Sequence, residues 1–309
     1  MPDLEEYRRE LTGYCYRMLG SGFEAEDAVQ ETMVRAWKGF GDFEGRSAVR
    51  TWLYRIATNI CLDMLRGAQR RARPMDLGPS SAADAVVDGG LPESHWVLPV
   101  PDARVLPTDP AEAAELRESI RLAFVTALQH LPARQRAVLV LREVLRWEAT
   151  EVAALLETTV PSVNSALQRA RATLATHRAA TTPLGTDQRQ LLDRYVAAFE
   201  AYDMAKLATL LRDDAILSMP PFALWLRGSA EIIRWHLGQG SGCRGSRLVA
   251  TTANGCSAFG SYRPDGRGGH LPWSIQVIET SGSEIVALNT FLDTALFGYF
   301  DLPEALPPQ

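Results

Sequence analysis

Seven prolines, at positions 74, 79, 92, 99, 101, 107 and 110, crowd a single stretch of this chain. Proline removes a backbone donor and clashes with the preceding helical turn, so no long helix crosses residues 72–110. Helical patterns lie on both sides of the stretch, and the sequence therefore divides there into separately folded parts. A chain of 309 residues is long enough for two or three domains.

Three helices are expected over residues 4–71. Ser21 with Glu24 reads as a capping box that starts the second. Val29, Met33, Trp37 and Phe40 follow as its apolar face, and Gly39 and Gly41 end it. Ser47 is the candidate cap of the third, which is expected to run to about Arg71. Beyond the linker, helical periodicity returns from Glu112 to Thr176, with Leu116, Ile120, Phe124 and Leu128 as one buried stripe until Leu131-Pro132 breaks it. A short second linker, residues 177–186, leads to a last third of different character. There, helices over 191–199, 205–211 and 229–237 precede strands at 246–253, 256–262, 273–280 and 285–292. Asn254-Gly255 and Ser281-Gly282-Ser283 supply hairpin turns, so this part is α+β.

Charge sharpens the picture. The net charge of -5 speaks against nucleic-acid binding when taken alone, but the arginines are concentrated. Residues 46–73 hold seven arginines and one acid, Asp63. Residues 134–178 hold seven more against four glutamates. Local positive patches of this kind face phosphates. On a helical wheel of residues 49–70, Arg55, Asn59, Asp63, Arg66 and Arg70 share a polar sector opposite Leu53, Ile56, Ile60 and Met64. Trp52 borders that sector, and Tyr54 is close by in sequence. Rings that stack on splayed bases, beside guanidiniums that neutralise phosphates, are what a single strand of DNA needs. The same pattern also describes an ordinary amphipathic helix whose Trp52 and Tyr54 close a core, and the pattern alone favours that blander reading.

Residues 148–156 and 160–174 read as two helices joined by the tight turn Glu157-Thr158-Thr159, with Pro161 tolerated in a first helical turn. Ala153, Leu155 and Leu156 would pack on Val163, Leu167, Ala170 and Leu174. That leaves Asn164, Ser165, Gln168, Arg169 and Arg171 outside, with amide and guanidinium groups suited to base edges and phosphates.

Both segments resemble one family. Glu26-Asp27-Ala28-Val29-Gln30-Glu31, Trp37, Phe43 and Thr51 to Asn59 are similar to region 2 of the extracytoplasmic-function (ECF, group 4) sigma factors of bacterial RNA polymerase. Leu131 to Arg136, Leu141-Arg142-Glu143 and Val163 to Arg171 are similar to their region 4. The resemblance implies two all-α sigma domains, helical region 2 at 4–71 and helix-turn-helix region 4 at 111–178, joined by the Pro-rich linker at 72–110. It implies that Asp27, Gln30, Glu31 and Arg35 contact core polymerase. Phe43, Arg46, Trp52, Arg55, Asn59, Arg66 and Arg70 would handle the melted minus-ten strand. Asn164, Ser165, Gln168, Arg169 and Arg171 would face the minus-thirty-five element, although many relatives carry a basic residue at the place of Asn164 and an aromatic one at Gln168.

Residues 187–309 exceed a minimal member of that family. Asp213 to Pro221 and Trp225 to Gly228 resemble SnoaL-like proteins of the NTF2-like class, which implies an α+β cone that modulates the sigma domains. Trp225, Tyr262, Trp273 and Phe291 could line a small-molecule pocket there or simply fill the core, and core is the favoured reading. Asp214, His236, His270 and Asp293 are ionisable but lack a diagnostic spacing, so the chain is expected not to be an enzyme. No cofactor or metal is expected, since Cys15, Cys61, Cys243 and Cys256 are scattered, which suits a reducing cytoplasm. No membrane span is expected either. The expected partners are core RNA polymerase and promoter DNA, with a small-molecule ligand of the last domain open. Two other readings compete: a one-component ligand-sensing helix-turn-helix regulator, and a SnoaL-like enzyme fused to a DNA-binding module. Neither needs the segment Glu26–Asn59.

Overall fold

The computed structural model describes residues 3–43, 45, 48–87, 89–177 and 188–308. They form two compact units. The first comprises Met1–Arg71 with Val97–Ala179, and the second Ala72–Trp96 with Ala180–Gln309.

The first unit is helical: α1 (Arg8–Leu19), α2 (Gly22–Gly39), α3 (Val49–Met64), α4 (Asp102–Val105), α5 (Pro110–Arg117), α6 (Leu122–Gln129), α7 (Ala133–Leu139), α8 (Ala149–Leu155) and α9 (Val160–His177). Gly20, at φ +76°, closes α1 in the left-handed conformation that glycine adopts without strain. Ser21 then caps α2, its Oγ accepting from the Glu24 N–H at 3.4 Å. The second half of the expected box is absent, because the Glu24 carboxylate accepts instead from the Arg71 guanidinium at 2.6 Å.

The core face of α2 is the stripe Ala25, Ala28, Val29, Thr32 and Ala36. Trp37 was expected on that face but is 67% exposed, since a stripe centred on these small residues leaves position 37 beyond its edge. α3 ends at Met64 and not near Arg71, with Gly67 at φ +73° in the turns that follow. Its cap is Ala48, and Ser47 lies outside the described residues. The stripe over 116–128 is broken by Arg121, whose ψ of 142° is extended, so α5 and α6 are separate. Ile120 and Leu128 are nonetheless both fully buried.

The second unit contains α10 (Gln188–Glu200), α11 (Met204–Ala208), β1 (Leu211–Ser218), β2 (Trp225–Arg227), α12 (Ser229–Leu237), β3 (Arg247–Ala253), β4 (Cys256–Pro264), β5 (His270–Ser281), β6 (Glu284–Phe291) and α13 (Ala295–Tyr299). Asn254 and Gly255, both at positive φ (54° and 70°), make the two-residue turn between β3 and β4. β1 pairs with β6 in parallel, and every other pairing is antiparallel. The strand order is β2-β1-β6-β5-β4-β3.

This order corrects the expected NTF2-like cone. The sheet is open, with β2 at one edge and β3 at the other. A closed barrel needs its edge strands to pair. β2 has three residues, all matched to β1, and among the described residues β3 pairs only with β4.

Residues 72–96, the first part of the Pro-rich stretch, belong to the second unit and are held there by specific bonds. Ser81 N–H donates to the Trp225 carbonyl at 2.8 Å, and the Trp225 indole donates back to the Gly78 carbonyl at 3.0 Å. Ala83 N–H reaches Glu231 at 3.0 Å, and Leu91 N–H reaches the Pro221 carbonyl at 2.8 Å. Residues 97–105 behave differently and pack in the first unit, where Leu98 N–H donates to the Gly20 carbonyl at 2.9 Å.

Candidate nucleic-acid interface

α3 carries its aromatic and basic residues in two layers. The inner layer is structural. Tyr54 is fully buried and meets the Trp147 ring at 5.0 Å. Arg50 holds Glu10 at 2.9 Å and lies 5.2 Å from the Tyr54 ring centroid and 5.5 Å from that of Trp147. Burial pushes the Tyr54 phenol well above the usual tyrosine range. The outer layer is accessible. Trp52 is half-buried, with the Phe43 ring at 4.9 Å and Phe40 at 6.2 Å. Asn59 and Arg66 are exposed, Arg66 pairing with Asp63 at 3.1 Å. Arg55 is half-buried, and one of its nitrogens stands 3.5 Å from the Ala154 carbonyl in α8. Arg70 is exposed and 3.0 Å from His130 Nδ1. Arg46 lies outside the described residues.

α8 and α9 form the two-helix hairpin read from the sequence. Glu157, at φ +51°, makes the sharp turn, and Val163, Leu167 and Ala170 are buried beneath. Asn164, Ser165, Gln168, Arg169 and Arg171 are all exposed. Positions 164, 168 and 171 follow one helical stripe, with 165 and 169 beside it. Arg169 donates to Ser165 Oγ at 2.6 Å, and Arg171 pairs with Glu143. Exposed pairs of this kind contribute at most about 1 kcal/mol and exchange easily for phosphate. On α2, Asp27, Gln30, Glu31 and Arg35 are exposed, with Arg35 and Glu31 paired at 2.6 Å.

The second unit holds a cavity of about 330 Å³. Of the four aromatic residues named for a pocket, it takes only Trp273. Tyr262 and Phe291 are core, and Trp225 is buried with its indole on Gly78. The ionisable quartet does not converge. Asp214 is paired with Arg212, which keeps its carboxyl below the usual range. His270 Nε2 meets the Gly245 carbonyl at 3.0 Å, Asp293 caps the turn before α13, and only His236 faces the cavity.

The sequence reading missed the cavity's own polar groups: Arg263, Ser274 and Gln276. Their signal was present, because Ser274 and Gln276 alternate with Trp273, Ile275 and Val277 along β5. The strand register places Ser261 opposite Ser274 and Phe259 opposite Gln276, on one face. Tyr195 of α10 reaches that same face and donates to Gln276 Oε1 at 2.8 Å. Among the described residues no group of three or more His, Cys, Asp or Glu is placed to hold a metal. No described helix is long and apolar enough to cross a membrane.

Comparison with known proteins finds sigma-70 region 2 over residues 4–71 and sigma-70 region 4 over 121–174. The ECF RNA polymerase sigma factor SigG of Mycobacterium tuberculosis is 45% identical over 309 aligned residues, covering 98% of this chain and 83% of that protein. SigW of Bacillus subtilis is 32% identical over 168, covering 54% of this chain and 82% of that protein. Among solved structures, the extracytoplasmic-function sigma factor SigJ of M. tuberculosis aligns with a TM-score of 0.64 at 23% identity, covering 97% of this chain and 100% of that one. That likeness is one of fold.

Proposed function

The chain belongs to the extracytoplasmic-function sigma factors of RNA polymerase, and from that premise we propose how its surfaces divide the work. As a sigma factor it binds core RNA polymerase and directs promoter-specific transcription initiation. The exposed α2 residues Asp27, Gln30, Glu31 and Arg35 dock on core enzyme. The outer layer of α3, with Phe43 beneath it, captures the melted minus-ten strand. Trp52 offers a stacking surface worth about 1–3 kcal/mol per base. Extruding a base costs a few kcal/mol, which that stacking offsets. The exposed stripe of α9 enters the major groove of the minus-thirty-five duplex.

The second unit modulates these activities and shares ancestry with SnoaL-like proteins. The chain works in the cytoplasm and does no chemistry itself. A small molecule bound in the second unit is its signal. The observation that carries the reading is the pairing of two surfaces: an accessible aromatic and basic cluster on α3, and an exposed amide and arginine stripe on α9.

The test is run-off transcription on a promoter library with purified full-length protein and core polymerase. Initiation at a defined promoter subset is expected, and transcripts no more numerous than with core alone would reject the reading. Trp52→Ala is expected to keep core binding and duplex affinity while lowering open-complex formation by roughly 5- to 150-fold, the range that stacking energy gives. Permanganate reactivity of promoter thymines reports it, and wild-type reactivity in the variant would remove Trp52 from that role.

A further inference from the structure

The cavity of the second unit has a composition that selects a ligand. Its walls are largely apolar and aromatic, with Phe199 on α10, Trp235 on α12 and Phe222 before β2. Its volume of about 330 Å³ falls at the lower end of the range, about 300–1,000 Å³, that small-molecule sites occupy. Against these walls stand a few polar groups with unused bonding capacity. Ser274 is 1% exposed, and no group among the described residues bonds its Oγ. A buried hydroxyl left so has given up water without gaining a partner. Gln276 gives its carbonyl oxygen to Tyr195, which leaves its amide N–H groups as donors toward the cavity.

Arg263 is the one charged residue of the lining among the described residues, and no carboxylate joins it there. Its guanidinium carbon lies over the Trp273 ring, 3.4 Å from the centroid, and its Nε has no partner among the described residues. A stacked guanidinium is held in orientation while its N–H groups stay free for a planar anion. His236 is buried, and burial lowers its pKa, so it stays neutral and adds no second charge. Its Nδ1 bonds the Ile232 carbonyl at 2.8 Å, which fixes the proton there and leaves Nε2 as an acceptor.

We propose that this cavity binds a small aromatic monocarboxylate, its carboxylate taken by Arg263 and Ser274 and its ring held among Phe199, Phe222 and Trp235. An isolated cation with unpaired donors, walled by aromatic rings and lacking any acid, fits an anion with an apolar body. Val87, from the segment that joins the two sigma regions, forms part of the same wall. Occupancy therefore bears on how firmly residues 81–91 sit on the second unit. The consequence for transcription rests on the regulatory reading above, whereas the binding itself does not.

The experiment is calorimetric titration of the full-length protein with benzoate and 2-naphthoate, using 2-naphthamide as the uncharged control. One site per chain is expected, with at least one of the acids binding at least tenfold more tightly than the amide. Arg263→Gln is expected to abolish that preference, Arg263→Lys to keep part of it, and Ser274→Val to weaken acid binding severalfold with an unfolding midpoint no lower than about that of wild type. No binding of either acid, equal affinity for acid and amide, or full acid affinity in Arg263→Gln would each overturn the proposal. Run-off transcription by a chain lacking residues 187–309 separates the two readings. Transcription equal to full length ends the regulatory reading and leaves the ligand standing. Altered transcription beside absent carboxylate binding does the reverse.

Discussion

Both units enclose cationic and polar groups, but two arginines of the first and a cavity pair of the second differ in how far the protein satisfies them. In the first unit, Arg17 is fully buried with no carboxylate beside it among the described residues, and a backbone carbonyl and a hydroxyl serve it instead. It donates to the Gly13 carbonyl at 2.6 Å and to Ser119 Oγ at 2.7 Å. Arg136 donates to the carbonyls of Met18, Gln129 and Leu131 and to the Gln129 side chain. Burial lowers the pKa of each to about 10, so both remain charged at neutral pH. In the second unit, the half-buried Arg263 and the buried Ser274 face a cavity, and Ser274 Oγ has no partner among the described residues, whereas Arg136 leaves over its Nε alone while its two terminal nitrogens are used. The difference teaches which buried polar groups hold a fold together and which are available to something else. Losing a donor strands several acceptors in the first unit, whereas the hydroxyl of Ser274 has no partner to strand.

The largest effect expected from this contrast is on Arg136. Arg136→Met leaves three carbonyls and an amide oxygen without their donor, and is expected to destabilise the first unit by about 3 kcal/mol. Urea unfolding, with hydrogen exchange to assign the loss to α1 and α7, measures it. A midpoint equal to wild type would erase the distinction drawn here.

A smaller effect concerns His236, a cavity group with one backbone partner. Its pKa is depressed below 6.5, chiefly by desolvation. The unfolded chain takes up a proton near pH 6.5 that the buried ring refuses, so the second unit loses stability as pH falls below that value. The slope is at most about 1.4 kcal/mol per pH unit. Melting of the second unit between pH 7.5 and 5.5 is expected to show the decline, and His236→Gln to flatten it. The same slope in both proteins would place the titration elsewhere. The smallest effect is on Ser274, where Ser274→Val is expected to change stability by no more than about 0.5 kcal/mol, or to raise it. A loss approaching that of Arg136→Met would mean that the hydroxyl is structural.

Much of the local structure was legible in advance because it depends on neighbours in sequence. The bounds of α12 match the segment Ser229–Leu237 read as a helix, and Asn254-Gly255 turns where two adjacent residues tolerate positive φ. The α8–α9 hairpin with its outward residues Asn164, Ser165, Gln168, Arg169 and Arg171 follows from periodicity and one tight turn. What failed depended on distant partners. Glu24 abandons its box for Arg71, forty-seven residues away. Trp37 leaves the expected face because the position of neighbouring helices chooses which stripe of α2 is buried.

The sequence by itself determined the two arginine clusters, the hairpin of helices, the break at the prolines and the α+β character of the last third. Each follows from backbone propensity and side-chain spacing within about twenty residues, where the chain has few alternatives. Only the tertiary structure decided that the sheet stays open, that residues 72–96 belong with the second unit, and that Arg263, Ser274 and Gln276 share one cavity. Those outcomes depend on strand register and on which faces the helices cover. Contacts between residues far apart in sequence fix both, and composition leaves them undetermined.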